Sequence, residues 1–114
     1  DNGALATLAG LDNLGSVAHD LRIWGNASLV GLDGLGALTA VTSYLQISDN
    51  PALTSLDGLA SLTDVGWSLG VRFNDALPDC EVCELLDRLS SLPDPTDVYD
   101  NLSDACTPVP TNCP

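Results

Sequence analysis

A 24-residue repeat constrains the fold of this chain more than any other feature. Asparagine recurs at this interval at Asn2, Asn26, Asn50 and Asn74. A leucine follows three residues after each, at Leu5, Leu29, Leu53 and Leu77. Three units align without a gap. A repeat of this length indicates that successive units stack on one another and share one core.

Each unit contains a short alternation of apolar and polar residues that predicts a strand with one inward face. The alternations are "LRI", "LQI" and "LGV", beginning at Leu21, Leu45 and Leu69. Apolar residues at every third position elsewhere favour bends or 3₁₀-like turns. Glycine recurs at Gly10, Gly34 and Gly58, where a bend is expected. Asparagine follows the strand, where its amide can bond backbone groups at a corner and continue those bonds between units.

These patterns predict an all-β fold with a small α cap: a right-handed leucine-rich β-solenoid of 24-residue coils. Residues 1–76 are expected to form three repeats, and residues 77–114 a C-terminal cap. Within the cap we predict a helix over about 79–92, with Asp79 as its N-cap, because leucines form one stripe there and "PDP" follows. A last half-coil then reaches Asn101 before a disulfide-bonded, proline-rich tail.

Four cysteines lie near the end of the chain, and we predict that they form two disulfides. They are Cys80, Cys83, Cys106 and Cys113. Three connectivities are possible, and pairing each of the first two with one of the last two is favoured because a Cys80–Cys83 bridge closes a very tight loop. An even, clustered count indicates an oxidising compartment, so we expect an extracellular or cell-surface protein. Redox chemistry and a zinc site are disfavoured, because no βαβ pattern surrounds "CEVC" and the second pair is seven residues apart.

The charge of the chain excludes several classes of function. It has no lysine, three arginines and 16 acidic residues, giving a formal charge of −13. Such a surface repels phosphate backbones and anionic lipid, so we expect no nucleic-acid partner. No apolar run of about 18 residues is present, so we expect no membrane insertion.

The sequence shows no catalytic constellation, and we predict that the protein is not an enzyme. Its only histidine is His19, and no Ser or Cys nucleophile has a partner placed by a motif. No cofactor is expected apart from a weak possibility of calcium, since Asp33 and Asp57 share one repeat position and Thr39 and Thr63 share another. These aspartates lack the tight ligand spacing of a dedicated calcium loop, so a solvated face is the default.

Two surfaces are candidates for binding. If the leucines and isoleucines of the strands point inward, the residues between them point outward. This partner-binding face comprises Arg22, Trp24, Gln46, Ser48, Gly70 and Arg72. Arginine and tryptophan are frequent at binding hot spots, so the face suits a protein, a glycan or the acidic flank of another copy.

The first coil has no capping segment in this sequence. Its apolar positions, expected to leave an uncovered assembly edge, are Leu5, Leu8, Leu11 and Leu14. Three accounts of this edge are open: preceding sequence that is missing here, a fold that tolerates the edge, or coverage by another molecule. In the last case, a molecule capped at one end and open at the other can associate head-to-tail into a filament. Asn26 and Asn101 begin sequons for N-glycosylation, although a structural role of these corner amides competes with modification.

The repeat wording "LRIWGNASLVGLDGLGALTAV", "LQISDNPALTSLDGLASLTDV" and "LGVRFNDALPDCEVCELLDRL" resembles the receptor L-domain family, especially its secreted microbial members. The resemblance covers about residues 2 to 106. It implies a leucine-rich β-solenoid without a catalytic signature. We therefore expect a non-catalytic extracellular structural or adhesive module that self-associates through its first coil. The alternative, which the resemblance to receptor ectodomains implies, is ligand recognition on the strand face.

Overall fold

Seven short strands and one helix form within residues 2–103, the part of the chain that the computed structural model describes. The strands are β1 (Ser16–Val17), β2 (Leu21–Trp24), β3 (Ala40–Val41), β4 (Tyr44–Ser48), β5 (Asp64–Val65), β6 (Ser68–Arg72) and β7 (Thr96–Tyr99). The helix α1 spans Asp79–Arg88. The strands form two parallel sheets, one of three strands in the order β1-β3-β5 and one of four in the order β2-β4-β6-β7.

The pairing register follows the 24-residue spacing, as the repeat predicts. Leu21 lies opposite Leu45, and Leu45 lies opposite Leu69, with every intervening pair also 24 residues apart. The last pairing has a spacing of 27, which joins Leu69 to Thr96. Because side chains alternate along a strand, this register places Ile23, Ile47 and Val71 together on the buried side of the four-stranded sheet.

One apolar core lies between the two sheets and the connecting segments. Leucines at equivalent positions of successive units are fully buried there; they include Leu29, Leu53 and Leu77. Helix α1 contributes Val82, Leu85 and Leu86 to the same core. Burial of aliphatic side chains at about 25 cal/mol per Å² is the main stabilising contribution to such a core.

The prediction of an all-β solenoid was wrong. The structure has two parallel sheets and a helix, which is a small α/β arrangement. The valines at residues 17, 41 and 65 pair as the short three-stranded sheet, where we expected bends and 3₁₀-like turns. Elsewhere turns of the predicted kind do form. One is a 3₁₀ helix at Asp57–Leu59, and hydrogen bonds from a leucine N–H to the carbonyl oxygen three residues earlier recur, as from Leu35 to Leu32 and from Leu38 to Leu35. The helix packs into the shared core because its apolar stripe continues the leucine positions of the repeat. The boundary between residues 76 and 77 stays a prediction.

The helix bounds also differ from the prediction. The N-cap is Pro78 in an extended conformation, and Asp79 is the first helical residue, where its charge favours the N-terminal end of the helix dipole. The helix ends at Arg88, not at residue 92. Ser90 explains the earlier end, since both its main-chain N–H and its hydroxyl donate to the carbonyl oxygen of Thr63, at 2.7 and 3.0 Å. These bonds draw the chain away from the helix axis.

Candidate functional site

The outward side of the four-stranded sheet brings most of the predicted partner-binding residues together. Its residues lie in rows across the strands, and we call this surface the sheet face. One row joins Arg22, Gln46, Gly70 and Asp97. The next row joins Trp24, Ser48, Arg72 and Tyr99. Neighbouring strands are about 4.8 Å apart, so each row is a short, flat platform of side chains.

Arg22 and Tyr44 form one stacked pair on the sheet face. The Arg22 guanidinium carbon lies 5.6 Å from the Tyr44 ring centroid, and its Nη2 lies 2.8 Å from Asp20 Oδ2. The Tyr44 ring extends across the sheet toward Gly70, where an added Cβ would lie 2.8 Å from the Tyr44 hydroxyl oxygen. Because Gly70 has no side chain, the Tyr44 ring can lie across it. The ring and the Arg22 guanidinium then form a cation–π pair on the sheet face.

Arg72 and Tyr99 form a second stacked pair. The Arg72 guanidinium carbon lies 6.0 Å from the Tyr99 ring centroid. Among residues 2–103, Arg72 makes no ion pair, although the chain carries 16 acidic residues. Its guanidinium is partly exposed and keeps hydrogen-bond donors for a ligand.

Exposed aromatic rings surround Arg72. Trp24, Phe73 and Tyr99 each leave between 43% and 47% of their surface exposed. The Phe73 and Tyr99 rings meet edge to face, with centroids 5.4 Å apart and an interplanar angle of 89°. Phe73 adopts a left-handed backbone conformation, with φ of 57°, which is costly for a bulky residue. The residues that precede Asn26, Asn50 and Asn101 also have positive φ, so this conformation belongs to the repeated corner of the fold.

Ser48 corrects the predicted set of face residues. Strand alternation predicted an outward, accessible serine, but only 1% of its surface is exposed. Gln46 covers it by donating a hydrogen bond from Nε2 to Ser48 Oγ at 2.9 Å. Trp24 and Arg72 flank it on the neighbouring strands. Ser48 therefore forms the floor between two larger side chains and is not itself a contact residue.

Sequence reasoning missed Tyr44, Phe73 and Tyr99. Tyr44 stands two residues before Gln46, so strand alternation could have placed it on the same outward side. Tyr99 belongs to the last unit, which has 27 residues. Only the interval from Asn74 to Asn101 could have indicated that Tyr99 lies beside Arg72. Phe73 stands directly before Asn74, where the equivalent residues are Gly25 and Asp49, and those residue types could have indicated a left-handed conformation at this position.

The predicted assembly edge is half covered. Leu5, Leu8 and Leu14 are half-buried, and Leu11 is 42% exposed. The equivalent residues of the next unit are all buried; they are Leu29, Leu32, Leu35 and Leu38. Within residues 2–103, β1 and β2 each pair with a strand on one side only. Self-association through this edge stays a prediction.

The repeated asparagines form a hydrogen-bonded ladder, and both predicted sequons belong to it. Asn26 is buried, its Nδ2 donates to Asn50 Oδ1 at 3.0 Å, and its Oδ1 accepts from the main-chain N–H of Asn2 at 3.1 Å. Asn101 Nδ2 donates to the carbonyl oxygen of Val71 at 2.9 Å. Glycosylation of either amide would remove a donor from the ladder, and modification of these residues stays a prediction.

Cys80 and Cys83, on the first turns of α1, are both disulfide-bonded. Within the described residues no cysteine is free. Cys106 and Cys113, which the sequence favours as partners, lie outside the described residues. The bonded state of the two helical cysteines fits the expected oxidising compartment better than a reduced redox site or a zinc site.

Three carboxylates approach one another where α1 meets the preceding unit. Oxygen atoms of Asp57, Glu81 and Glu84 all lie within 4.8 Å of one another. Burial raises the pKa of the Glu81 carboxyl, and the charges of Asp57 and Glu84 raise it further, while a hydrogen bond from the Leu56 N–H at 3.0 Å opposes the shift. Asp33, which the sequence paired with Asp57, is not in this group. Calcium binding stays a prediction.

His19, the only histidine of the chain, is exposed. That the protein is not an enzyme stays a prediction. Helix α1 is too short to cross a bilayer, and the described residues hold no other helix that could do so.

No family model matches the chain, and comparisons with curated proteins and with solved structures found no similar protein. The resemblance to the receptor L-domain family therefore stays a prediction.

Proposed function

We propose that this protein is a non-catalytic extracellular recognition module that binds its ligand on the sheet face. The observation that carries the proposal is the state of Arg72. Its guanidinium stacks on Tyr99, stands between exposed aromatic rings, and makes no ion pair within residues 2–103. An arginine left without a carboxylate partner in a chain of charge −13 keeps its donors for a ligand.

The chemistry of the face defines the ligand that fits it. Trp24 and Tyr99 offer flat apolar surfaces, while Arg72 offers a planar set of donors. A matching ligand combines a flat apolar surface with oxygen acceptors. A carboxylate-bearing glycan and an acidic protein segment both have this chemistry, and the experiment below includes an arm for each.

The face is built to bind without rearrangement. Parallel pairing on both sides holds β4 and β6, and the Arg22–Tyr44 and Arg72–Tyr99 stacks limit the rotamers of long side chains. Side chains that are ordered before binding lose less conformational entropy on binding. The disulfide-bonded Cys80 and Cys83 support the extracellular part of the proposal.

Two immobilised libraries test this function, one of acidic and neutral glycans and one of acidic peptides. The expected result is a ligand whose affinity falls about tenfold or more in Arg72→Gln and in Trp24→Ala, as for a hot-spot residue. Trp67→Ala is the matched control, because Trp67 is an exposed tryptophan away from these rows. Equal losses in Trp24→Ala and Trp67→Ala, or a ligand that is indifferent to Arg72→Gln, would contradict the proposal.

A second candidate function is structural self-association through the first unit. The observation that favours it is the contrast between exposed Leu11 and its buried equivalent Leu35. Light scattering over a range of concentrations should detect oligomers, and Leu11→Glu should abolish them. Val30→Glu, at an exposed valine outside this edge, is the matched control and should leave them unchanged. A chain that remains monomeric at about millimolar concentration would exclude an interface of useful affinity.

A further inference from the structure

A groove separate from these rows lies where β5 meets β6. It has a volume of about 450 Å³ and is lined by residues 65–68 on one side and 91–95 on the other. Trp67 stands at its mouth with 74% of its surface exposed, the most of any large apolar side chain in the described part of the chain. Leu92 is exposed on the facing wall. The fold leaves an indole ring uncovered here without any packing role that explains it.

Three backbone N–H groups on one wall of the groove are already bonded. The N–H of Gly66 donates to the Val41 carbonyl oxygen at 2.9 Å. The N–H groups of Trp67 and Ser68 donate to the Ser43 carbonyl oxygen at 2.9 and 3.4 Å. On the facing wall, Pro93 and Pro95 carry no N–H, whereas Ser91, Leu92 and Asp94 do.

Asp94 is the only charged residue among the described residues that line the groove. A carboxylate accepts hydrogen bonds and cannot donate them. The face of an indole ring attracts cations through its quadrupole. A carboxylate beside an exposed tryptophan therefore favours a positively charged donor and disfavours an anion.

From the Asp94 carboxylate and the exposed face of Trp67 we propose that the groove binds an arginine or lysine side chain of a basic partner protein. The guanidinium or ammonium group pairs with Asp94, and the aliphatic part of the side chain lies along Trp67 and Leu92. The formal charge of −13 draws such a partner toward the molecule and accelerates encounter. Binding here does not use Arg72 or Trp24, so it is independent of the sheet face.

The occupant is neither a second copy of the chain nor a small free cation. The chain has no lysine and only three arginines, and two of these, Arg22 and Arg72, already stack on tyrosine rings. A small cation would remain largely in water, because the groove is open and most of Trp67 is exposed. A side chain carried by a protein brings further contacts around the rim, which a small cation cannot supply.

Fluorescence of Trp67 tests the proposal directly. Trp24→Phe leaves Trp67 as the single tryptophan, and the probe is a hexapeptide of alternating glycine and arginine. The expected result is a saturable change in emission. A peptide with citrulline in place of arginine keeps the shape but not the charge, and should bind about tenfold more weakly or not at all.

Asp94→Asn in the same background should also weaken the arginine peptide about tenfold, whereas Asp33→Asn, at an exposed aspartate outside the groove, should change its affinity less than about twofold. Arg72→Gln should have no effect, which separates this site from the sheet face. Equal losses in Asp94→Asn and Asp33→Asn would reduce the effect to general charge attraction and overturn the proposal. So would equal binding of both peptides, absence of saturation, or a response to a neutral oligosaccharide alone.

Discussion

Asn50 Oδ1 accepts two hydrogen bonds from Asn26, one from its main-chain N–H at 3.2 Å and one from its Nδ2 at 3.0 Å. Asn50 repeats this relationship with the next unit, donating from the same two groups to Asn74 Oδ1 at 3.1 and 3.2 Å. Each asparagine thus satisfies buried polar groups of its neighbour. Buried groups of this kind are costly to leave unpaired.

Asn50→Ala should destabilise the protein by at least about 3 kcal/mol. Asn50 is fully buried, and its Nδ2 also donates to the carbonyl oxygens of Ile23 and Ser48, both at 3.0 Å. The substitution removes the Asn50 donor from both carbonyls, of which Ser48 still accepts from the Gly25 N–H at 3.2 Å, and it leaves the Asn26 donors without their acceptor. Urea unfolding followed by circular dichroism measures the change. Asn13→Ala, at an exposed asparagine outside the ladder, should change stability by less than about 0.5 kcal/mol; equal effects would deny the ladder its structural role.

Gly58→Ala should cost about 3 kcal/mol, because a Cβ there would lie 2.1 Å from the Leu32 carbonyl oxygen and 2.3 Å from its carbon. These are backbone atoms that cannot move without disturbing the preceding unit. Gly36→Ala is the matched control, since a Cβ at that position meets nothing within 4 Å. Its effect on the unfolding free energy should stay within about 0.5 kcal/mol. If Gly58→Ala leaves the stability unchanged, successive units are farther apart at this position than the structure shows.

Leu53→Ala should destabilise the protein by about 2–5 kcal/mol, the usual range for a cavity in a packed core. Leu53 is fully buried, whereas the equivalent Leu5 of the first unit is only half-buried. Leu5→Ala should therefore cost less than about 1 kcal/mol. Thermal unfolding of the two variants compares the positions. Equal losses would mean that the first unit is covered in solution, as an oligomer would cover it.

Glu81 gives stability a specific pH dependence. Its folded-state pKa lies above the ordinary value of 4.5, chiefly because of burial, so the folded protein holds this proton more tightly than the unfolded chain. The resulting stabilisation is present below pH 4.5 and is lost as the pH rises through the raised folded pKa. Glu81→Gln can still accept a hydrogen bond from the Leu56 N–H. It should abolish this part of the pH dependence, and above the raised folded pKa it should be more stable than the parent protein.

Chemical denaturation at pH values from about 3.5 to about 7 measures the contribution of Glu81 to the free energy of unfolding. This range begins roughly one unit below the ordinary pKa of glutamate and ends a few units above it. Asp12→Asn is the control at an exposed carboxylate and should follow the parent curve. If Glu81→Gln keeps the parent's slope throughout, the raised pKa of Glu81 has no part in the pH dependence.

The period of the sequence predicted the pairing register because a repeated unit places equal residues at equal positions. Leu21, Leu45 and Leu69 lie in register for this reason. The same period could not define the fold class. Steps of three apolar residues are equally compatible with bends and with the two-residue strands at Val17, Val41 and Val65, and hydrogen bonds between neighbouring units decide between these alternatives.

The candidate surfaces were predictable to different degrees. Alternation along β2, β4 and β6 placed Arg22, Trp24 and Arg72 on one side, where the structure has them. It could not show that Gln46 would cover Ser48, because that depends on a side-chain hydrogen bond. The groove at Trp67 was not predicted at all, since the segment that forms its other wall, residues 91–95, is more than 20 residues away along the chain.

The main-chain N–H bonds of the asparagine ladder all have one direction, which makes the units unequal. From Asn2 to Asn74, each residue's main-chain N–H donates to the asparagine of the unit that follows it along the chain, and the last acceptor is Asn101. Detachment of the first unit leaves Asn26 Oδ1 without its main-chain donor and Asn50 Nδ2 without the Ile23 carbonyl oxygen. Detachment of the last unit leaves the main-chain N–H of Asn74 without its acceptor. The first unit also buries its leucines only in part, so partial opening should begin there and advance toward β7.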